Sequence, residues 1–113
     1  MNTLLVFTSL PDADGAQTLA QLLVERRLAA CVNILAPCKS VYRWQDGIED
    51  ASEVPLLIKT TAGCYGALEA AIRAHHPYEL PEIIAVCVDR GLPEYLAWVA
   101  AETTSRPTSD LSC

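Results

Sequence analysis

Residues 31–44 read as one long extended stretch, rich in Val, Ile, Tyr and Trp, and they lead into the strongest short hairpin signal of the chain, Asp46-Gly47. A two-residue type I′ turn needs positive φ at both central positions, and an Asp-Gly pair supplies this at low cost. The chain returns through Ile48 to Thr60, carrying Val54, Leu56, Leu57 and Ile58. Counted from that turn, Arg43 falls opposite Asp50 and Trp44 opposite Glu49. The first arm spans about 45 Å at ~3.3 Å per residue, well beyond a mean strand of about five or six residues. Such a ribbon projects beyond its own sheet and is expected to pair along a neighbour's edge. The competing arrangement is a bent hairpin folded over the open face of its own monomer. Pro37 interrupts the arm and marks a bulge or an edge, because proline cannot donate to a sheet ladder.

The rest of the chain falls into place around this hairpin. Residues 3–9 are a strand. Asp14-Gly15-Ala16-Gln17 resembles a capping box, and Ala16, Leu19, Ala20 and Leu23 follow at helical spacing, so a helix runs to about Arg26. Arg26 and Arg27 suit the negative end of its dipole. Thr61 is placed to cap a second helix with Tyr65, Leu68, Ile72 and His75 on one stripe, stopped by Pro77. Residues 82–88 are a further strand, and Gly91-Leu92-Pro93 opens a third helix through about Glu102. The order is β-α-β-β-α-β and then a terminal helix. With right-handed crossovers this closes as an α+β, ferredoxin-like sandwich with an extended central hairpin. Residues 1–104 form the single domain expected of a chain this length, and residues 105–113 are a polar tail.

An antiparallel sheet with one wet face should alternate apolar and polar residues. Here Leu4, Leu5, Val6 and Phe7 are apolar on both faces, as are Ile83, Ile84, Ala85 and Val86. Two main helices cover one face, so the other calls for a second copy of the chain. Composition agrees: 51% of the 113 residues are hydrophobic, more than one small core hides.

Charge and cysteine usage exclude several classes. The net charge of −6, with 14 acids against 8 bases, leaves no basic face for a nucleic acid, and Arg26, Arg27, Lys39, Arg43 and Lys59 are scattered. No apolar run approaches the roughly 18 residues of a membrane span. The first residues run straight into a strand, so the expected location is the cytoplasm. The five cysteines are odd in number and contain no Cys-x-x-Cys, so neither a zinc clip nor a disulfide framework is expected. Cys31 and Cys87 lie in apolar stretches, where a thiol behaves as a small buried hydrophobe.

Chemistry-bearing residues are few. His75-His76 is the one dense group of ligand-type side chains, suited to copper or another borderline divalent cation with help from Glu79, Glu82 or a cysteine. Neighbours in a helix point about 100° apart, whereas chelation from one helix wants i, i+4 spacing. His76 precedes Pro77 and is pushed out of the α region, which re-aims it. The plainer assignment has His75 completing the apolar stripe and His76 sitting at the helix end, where a cation favours the dipole. Tyr78, Glu79 and Glu82, stiffened by Pro77 and Pro81, either rim a pocket or form the entry turn of the last strand. No Gly-x-Ser-x-Gly, no phosphate-binding glycine loop and no Ser/His/Asp set is present, so no enzyme is expected.

The runs Leu28-Ala29-Ala30-Cys31-Val32-Asn33-Ile34, Ser40-Val41-Tyr42-Arg43-Trp44, Leu57-Ile58-Lys59-Thr60-Thr61, His76-Pro77-Tyr78-Glu79-Leu80-Pro81-Glu82-Ile83 and Tyr95-Leu96-Ala97-Trp98 resemble the CutA divalent-cation-tolerance family, in order and in spacing, over residues 3–103. The resemblance implies a ferredoxin-like fold, a homotrimer similar in architecture to the PII signalling proteins, a cytoplasmic location and a response to metal ions. It implies copper binding by the paired histidines, His75 and His76, with a first-strand cysteine. Thr8 stands at the cysteine's place, and a threonine hydroxyl is a poor copper ligand. The alternative is a PII-like trimer that binds a small effector between subunits without a metal.

Overall fold

A computed structural model describes residues 2–103. β1 (Thr3–Leu10) alternates from Leu4 onward, with Leu4, Val6, Thr8 and Leu10 buried and Leu5, Phe7 and Ser9 half-buried on the other face. α1 (Ala13–Glu25) is capped by Asp12, whose extended backbone lets its Oδ1 accept from the Gly15 N–H at 2.7 Å. The cap therefore lies two residues before the expected box, and Asp14 instead places its charge in the first turn, where the dipole favours it. α1 ends as Arg27 turns left-handed at φ 58°, and the Arg27 guanidinium donates to the Ala101 carbonyl at 2.8 Å.

β2 (Cys31–Ile34) and β3 (Cys38–Trp44) are the two parts of the long arm, separated at Pro37 as expected. β4 (Gly47–Thr61) is the return. The turn falls one residue earlier than predicted: Gln45 (φ 48°) and Asp46 (φ 66°) occupy the two left-handed positions, and Gly47 opens β4. Aspartate tolerates that region, so the freedom of Gly47 is not used. Trp44 pairs with Gly47, Arg43 with Ile48 and Val41 with Asp50, in place of the predicted Trp44–Glu49 and Arg43–Asp50. This register brings Lys39 and Asp50 to 4.0 Å.

After a 3-10 turn (Ala62–Cys64), α2 (Tyr65–His75) follows; Thr61 precedes the turn without a side-chain capping bond. Pro77 closes α2 as predicted. β5 (Ile84–Cys87) is shorter than the predicted strand, and α3 (Pro93–Glu102) starts on its proline. The strands are ordered β2-β4-β1-β5, all pairs antiparallel, with β3 along the outer half of β4. With β2 and β3 taken as one interrupted strand, this is the ferredoxin-like order. The core lies between β1, β4 and the helices α1 and α2, built on Leu4, Val6, Leu23, Ile58, Leu68 and Ile72. Each such side chain contributes about 1.5–3 kcal/mol of burial. α3 rests on β1 and β4 outside that core, with Val99 fully buried.

Cysteine placement departs from expectation. Cys31 is half-buried and Cys87 is exposed, where both were expected to be buried. The reason is topological: β5 is an edge strand whose four residues are all exposed. The polar tail expected from Ser105 lies outside the described residues. The long axis measures 43 Å against 26 Å for the other two, as the extended hairpin requires.

Candidate functional site at the end of α2

The two histidines part company at the helix end. His75 is the last residue of α2 and is exposed; its Nδ1–H donates to the Ala71 carbonyl at 2.9 Å, one turn back. Nε2 of His75 is thereby left with its lone pair facing solvent. It does not complete the buried stripe, which stops at Ile72. His76, with φ −91° and ψ 136°, has left the helix as a residue before proline should, and only 9% of it is exposed.

Both ring nitrogens of His76 are engaged. Nε2 lies 2.7 Å from the Ser9 carbonyl, which can only accept, and Nδ1 lies 3.1 Å from the Tyr78 backbone N–H, which can only donate. The ring is therefore neutral with its proton on Nε2. The Tyr78 ring sits against it at 4.8 Å between centroids, tilted by 49°. The Tyr78 hydroxyl in turn donates to Glu53 Oε2 at 3.0 Å. Burial, then the bond to Glu53 and its charge, push the Tyr78 phenol up to about 12; Tyr42 and Asp12 add to the effect. The phenol is a donor at any physiological pH.

The expected rim residues divide in the same way. Tyr78 is half-buried and bonded, whereas Glu79 and Glu82 are exposed. Shallow depressions of the surface line α1, at Gln17, Gln21 and Glu25, away from Tyr78. Thr8 is buried beneath the helices, and its Oγ1 has no hydrogen-bond partner. Ser9 and Glu53 are participants that sequence reasoning missed. They reach His76 and Tyr78 across 67 and 25 positions, so no local pattern announces them.

As a ligand set the site is sparse. Among the described residues no group of three or more His, Cys, Asp or Glu is placed to hold a metal ion. His75 fits a borderline divalent ion through Nε2, while His76 as it stands has no lone pair to offer.

The family model for the CutA1 divalent ion tolerance protein matches residues 4–102. The divalent-cation tolerance protein CutA of Thermus thermophilus is 43% identical over 98 residues, 87% of this chain and 95% of that protein. Protein CutA of Mus musculus is 43% identical over 99 residues, 88% of this chain but 56% of the longer mouse protein. Among solved structures, CutA from Xylella fastidiosa superposes with a TM-score of 0.89 at 46% identity, covering 92% of this chain and 100% of that one. Taken with the ferredoxin-like sheet order and the interrupted hairpin arm, these matches establish that the chain belongs to the CutA1 divalent ion tolerance protein family.

Proposed function

We propose that this protein works as a homotrimer in divalent-cation tolerance, taking copper or another divalent ion at the outward member of the histidine pair, through His75 Nε2. The observation that carries the reading is the division of labour in the His75 ring. Its Nδ1–H is anchored on Ala71, which fixes the tautomer and turns the Nε2 lone pair to solvent, as anchored metal-binding imidazoles require. One imidazole binds a metal weakly, so the remaining donors come from water or from another copy. Self-association is supported by the apolar surface outside the core: Ile84 and Val86 on the edge strand are 56% and 48% exposed, and Val41 and Ile48 on the hairpin are each 70% exposed. Copper(II) titration by calorimetry tests the metal reading. Binding should be lost in His75→Ala and in His75→Ala/His76→Ala; unchanged binding in the double variant overturns it. Sedimentation gives the subunit number.

A second reading is a PII-like module that takes a small effector near Tyr78, without turnover and without a metal. The Tyr78–Glu53 bond, with Tyr42 and Asp12 close by, favours it. Here ligand-dependent thermal stabilisation would depend on Tyr78 and ignore His75. The Archaeoglobus fulgidus relative is named periplasmic and the Arabidopsis thaliana one chloroplastic. Family membership thus leaves the compartment open. We propose the cytoplasm, which cell fractionation measures.

A further inference from the structure

We infer that His76 is a positioning residue that latches the segment after α2 to the sheet, and that it is not a metal donor. The inference goes beyond the proposed function and stands without it. Three contacts converge on one ring. Nε2–H closes on the Ser9 carbonyl near the end of β1, Nδ1 receives the Tyr78 N–H, and the Tyr78 ring leans against the imidazole. The last two fix where Tyr78 lies, and Tyr78 fixes where its hydroxyl meets Glu53 on β4.

Each alternative use of His76 has a definite cost. A metal at Nε2 must displace the Ser9 carbonyl, leaving that C=O without its donor. A metal at Nδ1 must displace the Tyr78 N–H and move the aromatic ring. Leaving such a group unsatisfied carries its desolvation penalty with no return, and His75 next door offers a lone pair without that penalty. Pre-proline geometry completes the case. Pro77 holds His76 extended, which turns its ring down toward β1 while His75 remains on the helix. The adjacent pair is therefore one outward imidazole and one inward imidazole, not a chelate.

The long-range proton–nitrogen NMR spectrum of the full-length protein tests this directly. Without metal, His76 should show a single neutral tautomer with its proton on Nε2 and an acceptor shift at Nδ1. A mixed or Nδ1–H tautomer overturns the latch. On addition of zinc(II), a diamagnetic probe, the Nε2 signal of His75 should move and both nitrogens of His76 should keep their tautomer. Recruitment of a His76 nitrogen with loss of the Tyr78 amide shift overturns the inference. Absence of any zinc response overturns the metal function instead, and the tautomer still decides the latch.

Variants supply a second arm. Tyr78→Phe removes only the Glu53 bond and calibrates the Glu53 carboxyl carbon shift. His76→Ala should move that shift the same way, and His76→Gln, which keeps an N–H for Ser9, should restore it in part. An unmoved Glu53 signal in folded His76→Ala overturns the positioning role. Zinc affinity should stay within about twofold in His76→Gln and fall at least about tenfold in His75→Ala.

Discussion

The Tyr78 hydroxyl and the Glu53 carboxylate meet at 3.0 Å and join the segment after α2 to the middle of the longest strand. The pair gives stability an alkaline dependence. The phenol titrates near 10 in the unfolded chain and at about 12 when folded. Between those values the folded state holds a proton that the unfolded state has lost. The contribution is complete below pH 10 and disappears as pH climbs through 12. Tyr65, raised by burial and then by its bond to Glu69, acts with the same sign. The melting temperature should fall more steeply above pH 10 in the wild type than in Tyr78→Phe; equal slopes would remove Tyr78 from the account.

Thr8 exposes a different economy. Its hydroxyl is buried on the core side of β1 with no partner, so it carries a desolvation cost with nothing in return. Valine has nearly the same shape and no such group. Thr8→Val should raise stability by about 1 kcal/mol, read from denaturant unfolding. A loss of stability would show that the hydroxyl is satisfied in solution.

Asp12 caps α1 through the Gly15 N–H. Asp12→Ala removes one acceptor and one charge at the positive end of the helix, for an expected loss of about 1 kcal/mol. Asp12→Asn keeps the acceptor and should lose less than half as much. Equal losses in chemical unfolding would show that charge, not capping, is the source.

Ile84 and Val86 are apolar, exposed and on an edge strand. A charge on either should weaken self-association while leaving the fold intact, because neither belongs to the core. Ile84→Glu and Val86→Glu should show a lower sedimentation mass at micromolar concentration with an unchanged circular dichroism spectrum. A mass equal to wild type would move the interface elsewhere.

Element order, the core face of α1 and the stop at Pro77 were all legible, because periodicity and proline chemistry act over a few residues. The hairpin was legible to within one residue. Asp-Gly is favourable on either side of the turn position, and nothing local records that Gln45 would accept a left-handed φ. The cap at Asp12 was masked by a second plausible motif two residues on. The histidine pair was visible, but its division was not. What buries His76 is a backbone carbonyl 67 positions earlier, an atom every residue has and no sequence marks. Cys87 was misjudged for the same kind of reason: an apolar strand reads alike at the edge and at the centre of a sheet.

β4 changes company between Glu53 and Val54, one residue short of Pro55. Toward Thr61 the strand is flanked by β1 and, over part of its length, by β2; toward Gly47 its neighbour is β3. Amides of the flanked half exchange with solvent only when the whole domain opens, whereas those of the other half need only two strands to separate. The molecule is a firm base carrying a compliant arm, and a load applied at Gly47 enters the core at Val54, directly beside a residue that contributes no backbone donor.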